Sequence, residues 1–191
     1  MRATADWISV ASAGEGLHSP LIRHHSGARA LFEFDLAVPP PAIARRAGGR
    51  RFSASLTHIP LSTASISLAV CTEVLEHVPD DELAVRELSR VLQPGGALVL
   101  SVPTPPAVFD PAHVREGYKA DQLRTLFGRH GLEIVDARYC MHGVFKAVLK
   151  YWRPRRVPLA IILAAAWIDR LVRPGQPMDL AVLAMRRGDP S

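Results

Sequence analysis

The chain has 191 residues, 48% of them hydrophobic, and a formal net charge of +5. That length and apolar content suit one domain with its own core and exclude a disordered chain. Cys71 and Cys140 are the only cysteines, too few for a disulfide framework and without the C-x-x-C spacing of a zinc site, so no metal is expected.

Met1 to Trp7 carries a charge but no continuous apolar stretch follows it, so no signal peptide is expected and a reducing cytoplasm fits. Trp7 to Ala11 predicts a first strand. A Gly-containing turn, Ser12 to Gly16, and a helix over Leu17 to His25 come next. Ala28 to Phe34 predicts a second strand, ending in Asp35. Pro39, Pro40 and Pro41 open a short helix to Arg46, where proline is tolerated because the first turn has spare N–H groups. Arg51 to Ala54 predicts a weak third strand, and Ile66 to Cys71 a fourth.

The clearest helix follows. Asp80, Asp81 and Glu82 crowd its start, where negative charge suits the helix dipole. Ala84, Leu88, Val91 and Leu92 give it one apolar face, and Gly95-Gly96 after Pro94 is expected to stop it. Ala97 to Val102 predicts a fifth strand, almost wholly apolar, as for a strand covered on both faces. Asp121 to His130 predicts another helix, ended by Gly131. Leu132 to Ala137 and Leu180 to Met185 predict the last two strands. Strands alternating with helices imply an α/β fold with a mostly parallel sheet and helices on both faces. Such sheets bind ligands at the carboxyl ends of their strands.

Four pieces sit at those ends. The turn Ala13-Gly14-Glu15-Gly16 follows the first strand, where small residues let a ligand approach the backbone; a plain tight turn is the alternative. Asp35 ends the second strand, where an acid can accept hydrogen bonds from both hydroxyls of a ribose; it could equally be a solvated loop carboxylate. Cys71-Thr-Glu-Val-Leu-Glu-His-Val78 follows the fourth strand. Val91-Leu-Gln-Pro-Gly-Gly-Ala-Leu-Val-Leu100 leads into the fifth.

The last two pieces, E-x-L-E-H-V followed by V-L-x-P-G-G, resemble the class I S-adenosylmethionine-dependent methyltransferases, and within them the type 11 methyltransferase group. The match is dense from Ile66 to Pro103 and thinner from Trp7 to Met185. The resemblance implies a Rossmann-like, doubly wound, seven-stranded, mostly parallel sheet whose last strand is antiparallel, in a single domain spanning residues 1–191. It implies S-adenosyl-L-methionine as cofactor. Ser9, Ala11, Ala13, Gly14 and Gly16 would wrap its methionine part, and Asp35 would hold the ribose. Ser55 and Leu56 would border the adenine, with Cys71 and Thr72 near the sulfonium. The front half departs from the family: Ser9, Ser55 and Ser67 stand where acids are usual, and Ala11 and Ala13 where glycines are. Methyl transfer to an oxygen or nitrogen of a small molecule, such as a lipid, glycan or secondary metabolite, is the function implied. A catalytically impaired methyltransferase-like binding or scaffold protein is the alternative that the departures raise. A nicotinamide-dependent dehydrogenase would need G-x-G-x-x-G, which the turn lacks.

A methyl acceptor must lose or lack a proton. His77, His113 and Tyr118 are the candidate catalytic groups. His77 falls one helical turn after Glu73, with a capping or packing role as the alternative. His113 and Tyr118 lie in Asp110-Pro-Ala-His-Val-Arg-Glu-Gly-Tyr118, which either overhangs the ligand face or caps the next helix. Residues 141–177 form an insertion between the last two strands. It holds Lys146, Lys150, Arg153, Arg155 and Arg156, an apolar run from Val157 to Ile168, then Arg170 and Arg173. The run is shorter than the ~20 residues of a membrane span. Cations and tryptophan beside an apolar helix suit peripheral contact with a membrane or lipid through 150–173, a lid over the site, or a helix packed on the core with a solvated edge. No nucleic-acid partner is expected, since no recognised binding motif accompanies the charge.

Overall fold

The computed structural model describes residues 7–11, 24, 30–36, 50–107, 110–144, 147–148 and 159–188. The predicted helices over 17–25 and 39–46, and the turn at 13–16, lie outside these residues, His24 excepted.

Strands β1 (Trp7–Ala11), β2 (Ala30–Asp35), β3 (Arg50–Ser53), β4 (Ile66–Thr72), β5 (Leu92–Pro103), β6 (Leu132–Cys140) and β7 (Asp179–Arg186) form one sheet in the order β3-β2-β1-β4-β5-β7-β6. β1 pairs in parallel with β2 and β4, β2 with β3, and β4 with β5. β7 runs antiparallel to both neighbours, β5 and β6. Strand order reverses at β1, between β2 and β4, which is the switch point where open sheets of this kind take ligands. One edge of the sheet therefore gathers Ala11, Asp35, Ser53, Thr72, Pro103 and Cys140, together with Asp179 at the start of the reversed strand.

Helix α1 (Asp81–Val91) begins at Asp80, whose carboxylate accepts from the Leu83 N–H at 2.9 Å. Ala84, Val85, Leu88 and Val91 are buried along its inner face. The helix ends at Val91, four residues before the expected Gly95 stop, and β5 begins at Leu92 rather than Ala97. Two causes combine. Pro94 disfavours a helical Gln93, and Leu92 pairs with Ile66 across the sheet. The last carbonyls are taken up from outside the helix: Ala64 N donates to Arg90 O and Ser65 N to Val91 O, each at 2.9 Å. The Arg186 guanidinium donates to the Leu92 carbonyl.

Helix α2 (Ala120–Arg129) buries Leu123, Leu126 and Phe127 and packs against β6. Helix α3 (Leu159–Val172) lies between β6 and β7 in the chain. Asp169 and Ala165, one turn apart, are its buried positions among the described residues. The Asp169 carboxylate accepts from the N–H groups of His142 and Val144, which tethers α3 to the segment leaving β6. Most of its apolar side chains stay exposed, Trp167 by 67% and Leu171 by 71%. No helix among the described residues is long and apolar enough to cross a membrane.

Candidate functional site

β4 is a near-continuous apolar run, so it is covered on both faces, and its last residues surface only at the carboxyl edge. Cys71 is wholly buried there, and burial, then the charges of Glu76 and Glu73, push its thiol far above the ordinary range. It is a neutral wall rather than a nucleophile. Thr72, half-buried, is the β4 residue this edge presents. Glu73 follows with φ of +53°, a left-handed conformation that costs a non-glycine residue energy and gathers at functional sites. Its N–H donates to Ser101 O at 3.0 Å, and the Ser101 hydroxyl donates to its carboxylate at 2.6 Å.

A short 3-10 turn, Leu75–His77, then places Glu76 and His77. Glu76 is 1% exposed, and neither carboxylate oxygen has a hydrogen-bond partner among the described residues. Burial pushes its carboxyl up to about 7, and the Glu73 charge adds to the rise. The His77 Nδ1 lies 3.0 Å from the Ala112 carbonyl, and its Nε2 lies 3.7 Å from Glu76 Oε1. The His77 and His113 rings meet edge to face, 4.6 Å between centres.

The loop carrying His113 is fastened down. Arg115 makes an ion pair with Asp81 at 2.8 Å and donates to the carbonyls of Leu75 at 3.3 Å and Pro79 at 3.1 Å. Tyr118 donates its hydroxyl to Asp81 at 2.9 Å, accepts from Arg115, and donates its N–H to Pro103 O at 2.9 Å. Tyr118 is thus corrected from candidate base to anchor: it is 5% exposed, its hydroxyl is engaged, and burial pushes its pKa up, away from use as a base. His77 and His113 are brought together; Tyr118 is not brought to them.

A pocket of about 210 Å³ opens beside this cluster, lined by Glu73, Pro103, His113, Met178 and Asp179 among others. Burial and the Glu73 charge raise Asp179 to about 7. Glu73, Glu76 and Asp179 were not singled out as site residues from sequence. Glu73 and Glu76 stood within the E-x-L-E-H-V segment; Asp179 had no local signal.

Further along the same edge, Asp35 and Ser53 are register partners on β2 and β3. Ala54 N donates to Asp35 O at 3.0 Å, and Ser53 Oγ donates to Leu36 O at 2.8 Å. The Ser55 hydroxyl shares a hydrogen bond with Thr57 at 2.7 Å. Leu56 is 4% exposed and belongs to the core, so at this point the edge offers its backbone and not its side chain. Ser9 lies two residues inside the edge on β1, and Ala11 at its end, paired with Cys71. Ala13, Gly14 and Gly16 fall outside the described residues.

A family model described as a methyltransferase domain, of the type 11 group, matches residues 10–100. A protein of Mycolicibacterium smegmatis named "Probable S-adenosylmethionine-dependent methyltransferase" is 31% identical over 149 residues, covering 73% of this chain and 56% of that protein. The chain thus spans little more than half the length of that relative. An S-adenosylmethionine-dependent methyltransferase from Mesorhizobium loti has a similar fold, with a TM-score of 0.66 at 21% identity over 95% of this chain and 91% of that one. So has the Burkholderia thailandensis 1,6-didemethyltoxoflavin-N1-methyltransferase, solved with its acceptor and S-adenosylhomocysteine bound, with a TM-score of 0.64 at 19% identity over 96% of this chain and 71% of that one. These likenesses show a Rossmann-like fold, with a mixed sheet and helices.

Proposed function

We propose that this chain, which belongs to the class I S-adenosylmethionine-dependent methyltransferases, transfers a methyl group to an oxygen or nitrogen atom of a small molecule. Its cofactor is S-adenosylmethionine. The observation that carries the reading is that one sheet edge gathers Asp35, Thr72 and a pocket walled by His113, Glu73 and Asp179. When bound, the cofactor supplies a methyl group already activated on a sulfonium, so the protein's main task is alignment. Asp35, at the end of β2 beside Ser53, suits a pair of ribose hydroxyls. Ser55 and the backbone at Leu56 lie next along the edge and suit the adenine. Thr72 and the neutral Cys71 leave no fixed cation against the sulfonium. Ser9, Ala11, Ala13, Gly14 and Gly16 would take the methionine end.

The acceptor's reacting end enters the pocket at His113. At about 210 Å³ the pocket is smaller than the roughly 300–1,000 Å³ of whole-ligand sites, so the rest of the acceptor lies outside it. His77 and His113, which meet at its wall, are the groups that promote loss of the acceptor's proton. The relative from Burkholderia thailandensis carries an N-methyltransferase name, which keeps nitrogen beside oxygen as acceptor.

A second, larger hollow of about 1000 Å³ shares Pro177 with the first and is lined by Arg138, Tyr139, Met141, Ala166, Arg170 and Arg173. It lies against α3, whose Ile161, Leu163, Trp167 and Leu171 are exposed. Apolar side chains beside three arginines suit an acceptor with an anionic, lipid-like body, and peripheral contact of 150–173 with a membrane surface.

Calorimetry tests the reading. S-adenosylmethionine and S-adenosylhomocysteine are expected to bind at a single site, and Asp35→Ala is expected to weaken both. Absence of heat at millimolar ligand overturns it.

A further inference from the structure

We propose that Glu76, His77 and His113 form a binding site for one divalent transition-metal cation of the zinc class, at the inner wall of the acceptor pocket.

The three side chains converge from two segments: Glu76 and His77 from the 3-10 turn, and His113 from the loop that Arg115 and Tyr118 hold over it. One ligand atom from each lies within 4.8 Å of the other two. What they lack is a donor. Both Glu76 oxygens are buried without a hydrogen bond among the described residues. Buried carboxylates are otherwise paired, hydrogen-bonded or metal-bound.

His77 does not supply the missing hydrogen in its neutral form. Its Nδ1 faces the Ala112 carbonyl at 3.0 Å, and a carbonyl can only accept, so the hydrogen belongs on Nδ1. The Nε2 lone pair is then left facing Glu76 Oε1 at 3.7 Å. A ring nitrogen fixed by a backbone carbonyl, with the other turned inward, is the usual outer support of a metal-binding histidine. A shared proton would join two of these groups. Two acceptors, a Glu76 oxygen and the His77 Nε2, converge here with a His113 ring that can turn a lone pair to the same point, and such a set suits a cation.

The size is right within a small adjustment. Metal bonds of about 2.0–2.1 Å in a tetrahedron set ligand atoms about 3.3 Å apart. Here His77 Nε2 and Glu76 Oε1 are 3.7 Å apart and every pair lies within 4.8 Å, so closure of at most about 1.5 Å between any pair completes the set. Two histidines and one carboxylate are also the donor set of open catalytic zinc and iron sites, which keep at least one position for water or substrate. His113 lines the pocket, so the open position faces the acceptor. Glu73 and Asp179 line the same pocket without belonging to the triad.

What such an ion does rests on the methyl-transfer reading and narrows it to an oxygen acceptor. A hydroxyl oxygen in the open position loses its proton to solvent more readily, because the cation stabilises the negative charge left behind. That oxygen then forms the new O–C bond as the S–C bond to the methyl group breaks, leaving S-adenosylhomocysteine and the methyl ether.

The test uses the full chain, freed of metal by chelator and titrated with zinc or cobalt(II) chloride. Bound metal is counted by equilibrium dialysis, and the cobalt site is read by its visible absorption. One equivalent should bind, and His113→Ala should weaken it by about 100-fold or more. His113 stands on a half-buried loop, so its variant should fold even where Glu76→Gln does not; His58→Ala, at an exposed histidine away from the cluster, should bind like the parent. Failure to bind at about 100 μM metal overturns the site, as does stoichiometric binding that survives both His77→Ala and His113→Ala. Calorimetry with S-adenosylmethionine on the same samples separates the two readings. Cofactor binding without metal binding overturns the site alone; metal binding without cofactor binding upholds the site and counts against methyl transfer.

Discussion

Gly117 sits between His113 and Tyr118 in the loop over the pocket, with φ of +97°. A Cβ placed there would fall 2.6 Å from the Pro103 carbonyl carbon and closer still to its oxygen. Pro103 ends the central strand β5 and cannot retreat. Gly95 has a similar φ of +76°, but a Cβ there meets nothing within 4 Å. Gly95→Ala therefore isolates the backbone penalty, about 1–2 kcal/mol for a left-handed residue. Gly117→Ala adds an overlap with main chain, worth about 1–3 kcal/mol more on the scale of overpacked sites. For a chain of this length 1 kcal/mol moves the melting temperature by roughly 2–4 °C, so Gly117→Ala should melt about 2–12 °C below Gly95→Ala. Thermal melts of the two variants read the difference. Amide exchange locates it, because the Tyr118 N–H that donates to Pro103 O should lose protection in Gly117→Ala and keep it in Gly95→Ala. Cofactor affinity should change less than about threefold in either, because the loop lies apart from Asp35, Ser55 and Leu56, the proposed ribose and adenine contacts. Equal melting losses in the two variants, or full protection at Tyr118 in Gly117→Ala, would refute the reasoning.

Three further outcomes follow from the charges and the exposed helix. Asp179 has a folded pKa of about 7 against an ordinary 3.8, so the folded state prefers it protonated, and its contribution to stability is lost as pH rises from near 4 through 7. Asp179→Asn should remove that slope, so its melting advantage over the parent should grow from pH 4 to pH 8; parallel curves would contradict the assignment. Glu87 moves the other way. The Arg90 hydrogen bonds hold its pKa below 4.5, so its contribution is present above that pH and lost as pH falls through the lowered value. Glu87→Gln should lower stability at neutral pH and flatten the acid loss, which melts in acetate and formate buffers can read. Finally, the chain should co-sediment with anionic vesicles more than with neutral ones, and Trp167→Ala with Leu171→Ala should release it; equal recovery in both supernatants would remove the membrane proposal.

Much of the fold was legible because its signals are local. β4, β5 and the inner face of α1 announce themselves by apolar runs and by helical spacing, and the structure keeps them. The errors lie where a distant partner decides. Helix spacing placed Leu92 on the face of α1, yet its pairing with Ile66 turns it into the first residue of β5. β6 runs to Cys140, three residues past the expected Ala137, because β7 supplies partners for Arg138, Tyr139 and Cys140. Those residues carry no alternating apolar pattern of their own.

The site divides in the same way. The E-x-L-E-H-V segment marked the place, since all six of its residues follow one strand end. It did not say which carboxylate would be buried, and Glu76 rather than Glu73 goes inward because the 3-10 turn intervenes. Tyr118 read as a candidate base because nothing nearby in sequence revealed Asp81 and Arg115, the two groups that occupy its hydroxyl. Asp179 is the extreme case. It lies over a hundred positions after Glu73, and only the antiparallel insertion of β7 between β5 and β6 brings it to the pocket. The reversed strand matters for function on that account: running antiparallel, it puts its first residue, not its last, at the edge where the parallel strands end. A β7 in the parallel sense would present Arg186 there, exchanging a carboxylate for a cation at the pocket.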